Sequence, residues 1–367
     1  MRRGESVANP KVASVNQGGT FAENNPGKLG ISLNLRTPRG REVFKEIVSI
    51  SDIVVECFTA RTMERLGLGY AELRKVNPSI IYVQQPGFGR KGHYADYVST
   101  GPVAQAMSGL TEQSGLPSPY PPAGWGYSYM DWSGAYYCGM AMLSALYYRE
   151  RTGEGQYIDA SQAQAGIFLT GTAVLDYVAN GRSSQRTGNR SPYVPAAPHG
   201  AYPCQGKDRW IALSVYNDDE WRALCGVLGG PSWAREERFA TLSARVLHQD
   251  ELERLLGTET SRWEPWDLME KLQGVGVAAG VCQTAQERIE RDPQLRHLGF
   301  QVELPNSFIG TWKVKDFPIH LSETPAHSGG TRHRGFPCYG EDNDYVYGTL
   351  LAMSQGDRKA LEAEGAM

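Results

Sequence analysis

Short apolar runs alternate with amphipathic stretches over the first half of the chain. The runs that read as strands lie at 31–35, 53–55, 80–84 and 157–159. The helical patterns between and after them lie at 39–50, 63–66, 71–76, 103–110, 131–149 and 161–179. Thr37 stands where an N-cap would begin the first of these helices. Strands that alternate with helices predict an α/β fold with a Rossmann-like parallel sheet.

Two segments are distinguished by composition. The first 28 residues are polar and without periodicity, which predicts loop or extended chain. Gly, Arg, Ser and Pro accumulate near 181–200, which indicates a crossing between domains. We therefore expect a large domain over 1–190, a smaller α+β domain over 201–305, and a return to the large domain over 306–367.

Composition excludes several classes of function. The chain has 367 residues, 41% of them hydrophobic, and a formal net charge of -3. No basic excess draws it to nucleic acid, and no apolar run approaches the roughly 20 residues of a membrane helix. The start has no apolar stretch typical of a secretion signal, so we expect a soluble cytoplasmic protein with its six cysteines as free thiols.

No sequence motif indicates a metal site or a hydrolase triad. Seven histidines are scattered, and neither HxxxH nor HExxH occurs among them. The cysteines lie far apart, and no GxSxG motif is present. We expect neither a metal nor a permanently bound cofactor.

Asp131 is the carboxylate of greatest chemical interest. It stands at the start of the helix predicted over 131–149, in the run Tyr-Met-Asp-Trp-Ser-Gly. Free N–H groups at a helix N-terminus keep a carboxylate ionised, and they could stabilise an oxyanion on an acyl group attached to it. The alternative is a simple N-cap, since Asp commonly precedes a helix.

Two further features lie just beyond predicted strands, where ligands collect in open α/β sheets. Arg65 could pair with a phosphate or stack on adenine, or it could form a surface ion pair with Glu64 or Glu72. The run Gly87-Phe88-Gly89 is too short for a dinucleotide fingerprint, and a sharp exit from a strand explains it equally well.

Several stretches together resemble the family III CoA-transferases, which include formyl-CoA transferase, carnitine CoA-transferase and benzylsuccinate CoA-transferase. The motifs occur in the family's order, from about residue 24 almost to the C-terminus. They are DIVVECF (52–58), ERLGLGY (64–70), NPSIIY (77–82), PGFG (86–89), QAMSG (105–109), DWSG (131–134), ALYYR (145–149), RTGEGQ (151–156), GVAAG (276–280) and DPQL (292–295). Each motif is modest, but the ordered set is specific.

The resemblance implies a mechanism and a set of site residues. It places Asp131 as the carboxylate that attacks an acyl-CoA thioester, so that a mixed anhydride and then an aspartyl-CoA thioester form before CoA passes to a carboxylic acid. It implies that coenzyme A, as a substrate, contacts a set of residues shared with the family: Phe58, Arg65, Pro86, Gly87 and Phe88. Cys57 stands where the family usually has Asn, so this chain departs from the family at that contact. Residues 197–200 are loosely similar to a segment that borders the acyl site.

The resemblance also implies an assembly, and this chain departs from the family in one respect. Family members form dimers of interlocked ring-shaped subunits, so we expect a homodimer or a heteromer with a related subunit. The strand–helix–strand unit that normally opens the family is not recognisable here. A truncated gene product or a mis-called start would explain this, and activity is in question on that ground.

Two alternatives to a transferase stay open. An acyl-CoA racemase or isomerase of the same fold would pair the Asp with a His at the position of Thr100, and His93 lies seven residues too early. A non-catalytic subunit of a two-component CoA-transferase is the second alternative. The Asp131 carboxylate argues against it, and the missing opening unit argues for it.

Overall fold

The computed structural model describes residues 14–124 and 128–367. The strands are β1 (Ile53–Glu56), β2 (Ile81–Gln84), β3 (Tyr157–Asp159), β4 (His199–Pro203), β5 (Trp210–Ser214), β6 (Ala278–Val281), β7 (Gln301–Asn306) and β8 (Gly310–Lys315). The α-helices are α1 (Gly19–Asn24), α2 (Pro38–Ser49), α3 (Thr62–Arg65), α4 (Tyr70–Val76), α5 (Gly101–Met107), α6 (Leu110–Gln113), α7 (Tyr129–Thr152), α8 (Gln162–Leu169), α9 (Gly171–Asn180), α10 (Asp218–Val227), α11 (Leu242–Leu247), α12 (Gln249–Thr260), α13 (Pro265–Gly274), α14 (Ala285–Glu290), α15 (Pro293–His297) and α16 (Gln355–Ala363). A π-helix covers Asp344–Leu350.

The chain divides into two compact units. The first comprises the residues up to Gly101, Met130–Ala165 and Gln286–Met367, and the second comprises Pro102–Tyr129 and Gly166–Ala285. Both units are therefore built from segments that are distant in sequence.

A parallel sheet of order β1-β2-β3 organises the first unit, as the alternation of strands and helices predicts. All four residues of β2 are buried, because helices cover both faces of this central strand. On one face Ile80 and Tyr82 pack with apolar residues of α2 and α4. On the other, Ile81 and Val83 pack against Cys138 and Ala145 of α7.

The strand register brings three chain exits to one edge of this sheet. Glu56 pairs with Gln84, and Gln84 pairs with Asp159, so the three strands end level with one another. The segments that begin at 57, 85 and 160 therefore all leave from the carboxyl edge, where ligands of open α/β sheets bind.

The second unit contains an antiparallel sheet of order β4-β5-β6. Its core lies between this sheet and helices α10, α12 and α13, and it includes Ile211, Trp221, Leu252 and Leu268. The buried Arg245 donates to the carbonyl oxygens of Ala197, Phe239 and Asn217.

The C-terminal segment packs against the start of the described chain. After the hairpin of β7 and β8, the π-helix and α16 contribute Val346, Tyr347 and Leu361 to a core that includes Val43 of α2. This packing explains why the strand predicted over 31–35 is wrong. Its polar backbone groups bond to the C-terminal segment instead: Ser32 N–H donates to Asn343 Oδ1, and Tyr347 donates to Ser32 O.

Other differences from the sequence pattern are local. The helix predicted over 161–179 is interrupted at Thr170, which separates α8 from α9. Within the polar start, residues 1–13 lie outside the described part of the chain, and α1 forms where loop was predicted. Thr37 caps α2 as predicted, since its hydroxyl accepts from Gly40 N–H at 3.0 Å.

Candidate functional site

Asp131 lies in the first turn of α7, with its side chain exposed. The helix begins two residues earlier than the pattern predicts, at Tyr129, so Asp131 is a helical residue and not the residue before the helix. First-turn N–H groups have no partner within a helix, and the helix dipole favours negative charge at this end. Asp131 is therefore accessible, at the end of the helix where the dipole favours negative charge.

The Asp131 carboxylate contacts Gln162 and Gly101. Gln162 Nε2 donates a hydrogen bond to Oδ1 at 3.0 Å. A Cβ on Gly101 would lie 2.8 Å from Oδ2 and 2.9 Å from both Cγ and Oδ1. The carboxylate therefore fits in its present position only because residue 101 has no side chain.

The loop after β2 is tied to the start of α8, which carries Gln162. Gln162 N–H donates to Pro86 O at 3.3 Å, and Ala163 N–H donates to Gly87 O at 2.9 Å. A Cβ on Gly87 would lie 1.6 Å from Ser99 Oγ, so only glycine fits there. Phe88 packs against Tyr94, with ring centroids 5.7 Å apart.

A cavity of about 830 Å³ lies in the first unit, beyond the end of β1. Phe58 and Arg65 both line it, together with a residue that sequence reasoning missed, Arg36. Phe58 is 42% exposed, which leaves an aromatic face available to a ligand. An aromatic ring beside two guanidinium groups suits a ligand with a planar base and phosphates.

The ion pair considered for Arg65 does not form. Glu64 pairs with Arg90 at 3.0 Å, and Glu72 pairs with Lys75 at 2.6 Å. Arg65 bonds to Thr62 Oγ1 at 3.4 Å, and within the described ranges no carboxylate lies in salt-bridge distance of it. The same holds for Arg36 with respect to the described acidic side chains. Both charges are therefore available to an anion.

A buried polar cluster holds the loop that carries Phe58. Glu56 Oε2 accepts from Phe58 N–H at 2.6 Å, and its Oε1 accepts from Tyr82 at 3.3 Å. Gln84 Nε2 donates to Ala60 O at 2.8 Å, and its Oε1 accepts from Tyr157 at 2.7 Å. Burial raises the pKa of Glu56 above its ordinary value, although the hydrogen bond from Phe58 N–H opposes the shift.

The predicted site residues therefore fall into two groups beyond the carboxyl edge of the parallel sheet. Pro86 and Gly87 lie beside the start of α8, whose first side chain contacts Asp131. Phe58 and Arg65 line the cavity. The sequence analysis missed Gln162, Gly101 and Arg36. Gln162 could have been identified, because it follows the end of β3 by three residues and ligands bind beyond strand ends.

The remaining candidate features are metal sites, membrane helices, Cys57 and His93. Within residues 14–124 and 128–367, no cluster of three or more His, Cys, Asp or Glu side chains is arranged to hold a metal ion. No helix in these ranges has both the length and the hydropathy to cross a bilayer. Cys57 is exposed next to Phe58, and His93 lies against Tyr94, with ring centroids 5.1 Å apart.

Comparison with known proteins identifies the family of the chain. The sequence profile of "CoA-transferase family III" matches residues 2–343. The chain is 32% identical to succinyl-CoA–D-citramalate CoA-transferase of Chloroflexus aurantiacus, over 92% of this chain and 82% of that protein. It is 33% identical to succinate–glutarate CoA-transferase of Agrobacterium fabrum, over 82% of this chain and 74% of that protein. The crystal structure of a CAIB/BAIF family protein from Brucella suis superposes with a TM-score of 0.82 and 30% identity, covering 90% of this chain and 83% of that one.

Proposed function

Because this chain belongs to CoA-transferase family III, we propose that it transfers coenzyme A from an acyl-CoA thioester to a carboxylic acid, with Asp131 as the acylated nucleophile. The observation that carries this proposal is the exposed Asp131 carboxylate in the first turn of α7. Its Oδ1 accepts from Gln162, and Gly101, which has no side chain, lies beside both oxygens. An exposed carboxylate in these surroundings is accessible to an electrophile.

The transfer proceeds through covalent intermediates on Asp131. A carboxylate oxygen adds to the thioester carbon, the C–S bond breaks, and CoA leaves as a thiolate while an aspartyl–acyl anhydride remains. The thiolate then attacks Cγ of Asp131, and the donor acid leaves as a carboxylate, which gives an aspartyl-CoA thioester. The acceptor carboxylate displaces the thiolate, and the thiolate attacks the acceptor's acyl carbon to give the new acyl-CoA and free Asp131.

These steps make a limited demand on the protein. Every nucleophile and every leaving group is an anion, so no step needs a proton and no general base is required. The protein must instead position the reactants and stabilise the charge of the oxyanions. A site with one exposed carboxylate and a neighbouring N–H donor suits this demand.

Coenzyme A is proposed to enter through the cavity of about 830 Å³. Phe58 would contact the adenine, and the guanidinium groups of Arg65 and Arg36 would contact the phosphates. Pro86, Gly87 and Phe88, in the loop tied to α8, would line the way from the cavity to Asp131. The absence of a carboxylate partner for either arginine among the described residues supports this assignment.

A short dicarboxylic acid is proposed as the acceptor. Support comes from the relatives, whose names refer to succinate and glutarate in one case and to succinyl-CoA and D-citramalate in another. Acceptor and donor classes should therefore be tested with succinyl-CoA and a panel of mono- and dicarboxylates.

A second copy of the chain, or a related subunit, is proposed to cover one face of α7. Tyr136, Met140, Leu143 and Tyr147 recur at helical spacing and are 64%, 56%, 68% and 61% exposed. A contiguous apolar stripe of this kind marks a protein interface more often than free surface. The interlocked form is what the resemblance to the family implies.

The decisive experiment removes the proposed nucleophile. Asp131→Asn should lower the rate of CoA exchange by about 1000-fold or more, while Glu150→Gln, an exposed acid on the same helix, should leave it unchanged. Mass spectrometry of the wild-type protein mixed with succinyl-CoA should find CoA covalently attached at Asp131. Full exchange activity in Asp131→Asn would refute the proposal, and a wild-type chain that exchanges no CoA would favour the non-catalytic subunit.

A further inference from the structure

The side chain of Gln162 is held against the Asp131 carboxylate from two directions. Its Nε2 donates to Oδ1 at 3.0 Å. Its backbone N–H donates to Pro86 O at 3.3 Å, which fixes the first residue of α8 to the loop after β2. The amide is therefore anchored at its backbone as well as at its tip.

The path of the Gln162 side chain runs along α7. A Cβ on Gly134, one turn after Asp131, would lie 2.8 Å from Gln85 Nε2 and 3.3 Å from Gln162 Cγ. The missing side chain at Gly134 therefore leaves room for the side chains of both Gln85 and Gln162. A larger residue at 134 would press on both of them.

The hydrogen bonding of the carboxylate is asymmetric. Oδ1 accepts from Gln162 Nε2, whereas no hydrogen bond from a described residue reaches Oδ2. Gly101 does not distinguish the two oxygens, because a Cβ there would lie 2.8 Å from Oδ2 and 2.9 Å from Oδ1. The oxygen without the Gln162 hydrogen bond is the better nucleophile, since its lone pairs are not shared with that donor. Acylation at Oδ2 would leave Oδ1 as the carbonyl oxygen of both covalent intermediates.

We propose that Gln162 is a catalytic residue whose side-chain N–H stabilises the oxyanion that forms on Asp131 Oδ1. This inference rests on the proposed CoA-transferase function. When the CoA thiolate adds to Cγ, the C=O electron pair moves to Oδ1, and when the intermediate collapses the pair returns as the donor carboxylate leaves. The acceptor step repeats this sequence with the acceptor carboxylate as nucleophile and the thiolate as leaving group. Gln162 N–H is already directed at the oxygen that carries the charge in both steps.

The test is the variant Gln162→Met, which keeps the length of the side chain and removes the donor. The turnover number should fall by about 100-fold, and KM for acyl-CoA should not rise. Gln164→Met is the matched control, because Gln164 lies on the same helix with its side chain exposed, and it should behave as wild type.

A second readout separates catalysis from a structural role. The first step takes place at the donor's carbonyl carbon, so it should be slowed less than the steps at Cγ. Acid-quenched single-turnover mixtures of Gln162→Met with succinyl-CoA should therefore accumulate free CoA, whereas the wild type should retain CoA on Asp131. Circular dichroism and thermal unfolding should match wild type, and if Gln162→Met misfolds, the near-isosteric Gln162→Glu should show a larger loss of turnover, since a carboxylate would repel Asp131.

The outcomes distinguish this inference from the proposed function. Turnover of Gln162→Met within about threefold of wild type, with no accumulation of free CoA, would overturn the role of Gln162. If the wild type still forms the Asp131 adduct in that case, the proposed function stands. If the wild type forms no adduct at Asp131, the proposed function itself fails.

Discussion

At the scale of single residues, small side chains around Asp131 matter as much as polar ones. Gly101 and Gly134 contribute no chemical group, yet each provides space that a Cβ would fill. The residue types that carry reactivity can be read along the chain. The residues that make room for them cannot, because a close approach is a property of two segments that are distant in sequence.

The first prediction concerns Gly101→Ala. Its Cβ would lie 2.8–2.9 Å from three atoms of the Asp131 carboxylate, so the carboxylate must shift away from its present position. Because alanine is compatible with the start of α5, the fold should persist while CoA exchange falls by about tenfold or more. Gly139→Ala, at a glycine of α7 with no atoms within 4 Å of the added Cβ, is the control and should keep full activity. Equal activities of the two variants in a steady-state assay would show that the Asp131 position is not critical.

At the scale of elements, the carboxyl edge of the parallel sheet determines where ligand contacts are possible. The loop after β1 carries Phe58 and leads to α3, and its backbone is held by Glu56 and Gln84 at the ends of two neighbouring strands. A loop fixed by buried side chains loses little conformational entropy when a ligand binds. We therefore infer that the buried carboxylate of Glu56 fixes the conformation of this loop and does not primarily stabilise the sheet.

The second prediction follows from the raised pKa of Glu56. Burial disfavours its charged form in the folded state, so the unfolded chain loses this proton at a lower pH than the folded chain does. The wild type therefore loses stability as the pH rises from about 4 through the folded-state pKa of Glu56, a loss that Glu56→Gln cannot show. Relative to wild type, Glu56→Gln should therefore be more stable at about pH 7 than at about pH 4.

Urea unfolding at the two pH values measures this difference, and Glu72→Gln, an acid on α4 with a lowered pKa, is the control and should shift in the opposite direction. The same Glu56→Gln variant should bind acyl-CoA more weakly, because one amide oxygen cannot replace the two carboxylate oxygens that accept from Phe58 N–H and Tyr82. If the difference in free energy of unfolding between Glu56→Gln and wild type is the same at both pH values, the stability prediction is contradicted.

The third prediction concerns the two arginines of the cavity. Arg65→Gln and Arg36→Gln should each raise KM for acyl-CoA by about tenfold and leave the turnover number nearly unchanged, since a lost phosphate contact weakens binding without touching the reacting atoms. Arg74→Gln, an exposed arginine on α4 outside the cavity, is the control. Titration calorimetry with CoA measures the same loss directly. An unchanged CoA affinity in both variants would exclude this cavity as the CoA site.

At the scale of the whole molecule, α7 has two different apolar faces. One face packs against the parallel sheet through Cys138 and Ala145. Another presents the stripe of Tyr136, Met140, Leu143 and Tyr147 to solvent. A helix that is apolar on more than one side is normally buried on more than one side, so a partner is expected on the exposed stripe.

The fourth prediction is that the chain is oligomeric and that Leu143→Lys disrupts the assembly. A charge within an apolar interface costs several kcal/mol of association energy, of the order of 2–5 kcal/mol when it stays unpaired. Size-exclusion chromatography with light scattering should find the wild type at twice its monomer mass or more, and Leu143→Lys shifted to the monomer. Leu247→Lys, at a leucine of the second unit that is 78% exposed, should leave the assembly intact. A wild type that is monomeric at micromolar concentration would contradict the interface.

Local patterns predicted most of the helices and strands near the site correctly. The strands over 53–55 and 80–84 and the helix capped by Thr37 are confirmed to within about one residue at each end. The strand predicted over 31–35 is wrong. An apolar run indicates that a segment is buried, but it does not indicate which segments cover it. Its neighbours come from the opposite end of the chain, at Asn343 and Tyr347.

The candidate site was likewise predictable only in part. The family motifs pointed to Asp131, Phe58 and Arg65, whose chemistry is a matter of residue type and sequence order. The ion pairs that leave Arg65 free, the amide of Gln162 on Oδ1 and the position of Arg36 in the cavity all depend on which segments meet.

Residue order alone determined the family and the α/β class and indicated Asp131 as the proposed nucleophile, because hydrophobic period and motif chemistry are local properties of a chain. Tertiary structure alone decided the surroundings of that carboxylate. The parallel register ends β1, β2 and β3 at one level, and so brings residues from 57, 85 and 160 onward to a single edge. Distances across that edge are set by packing between remote segments, which no local pattern encodes.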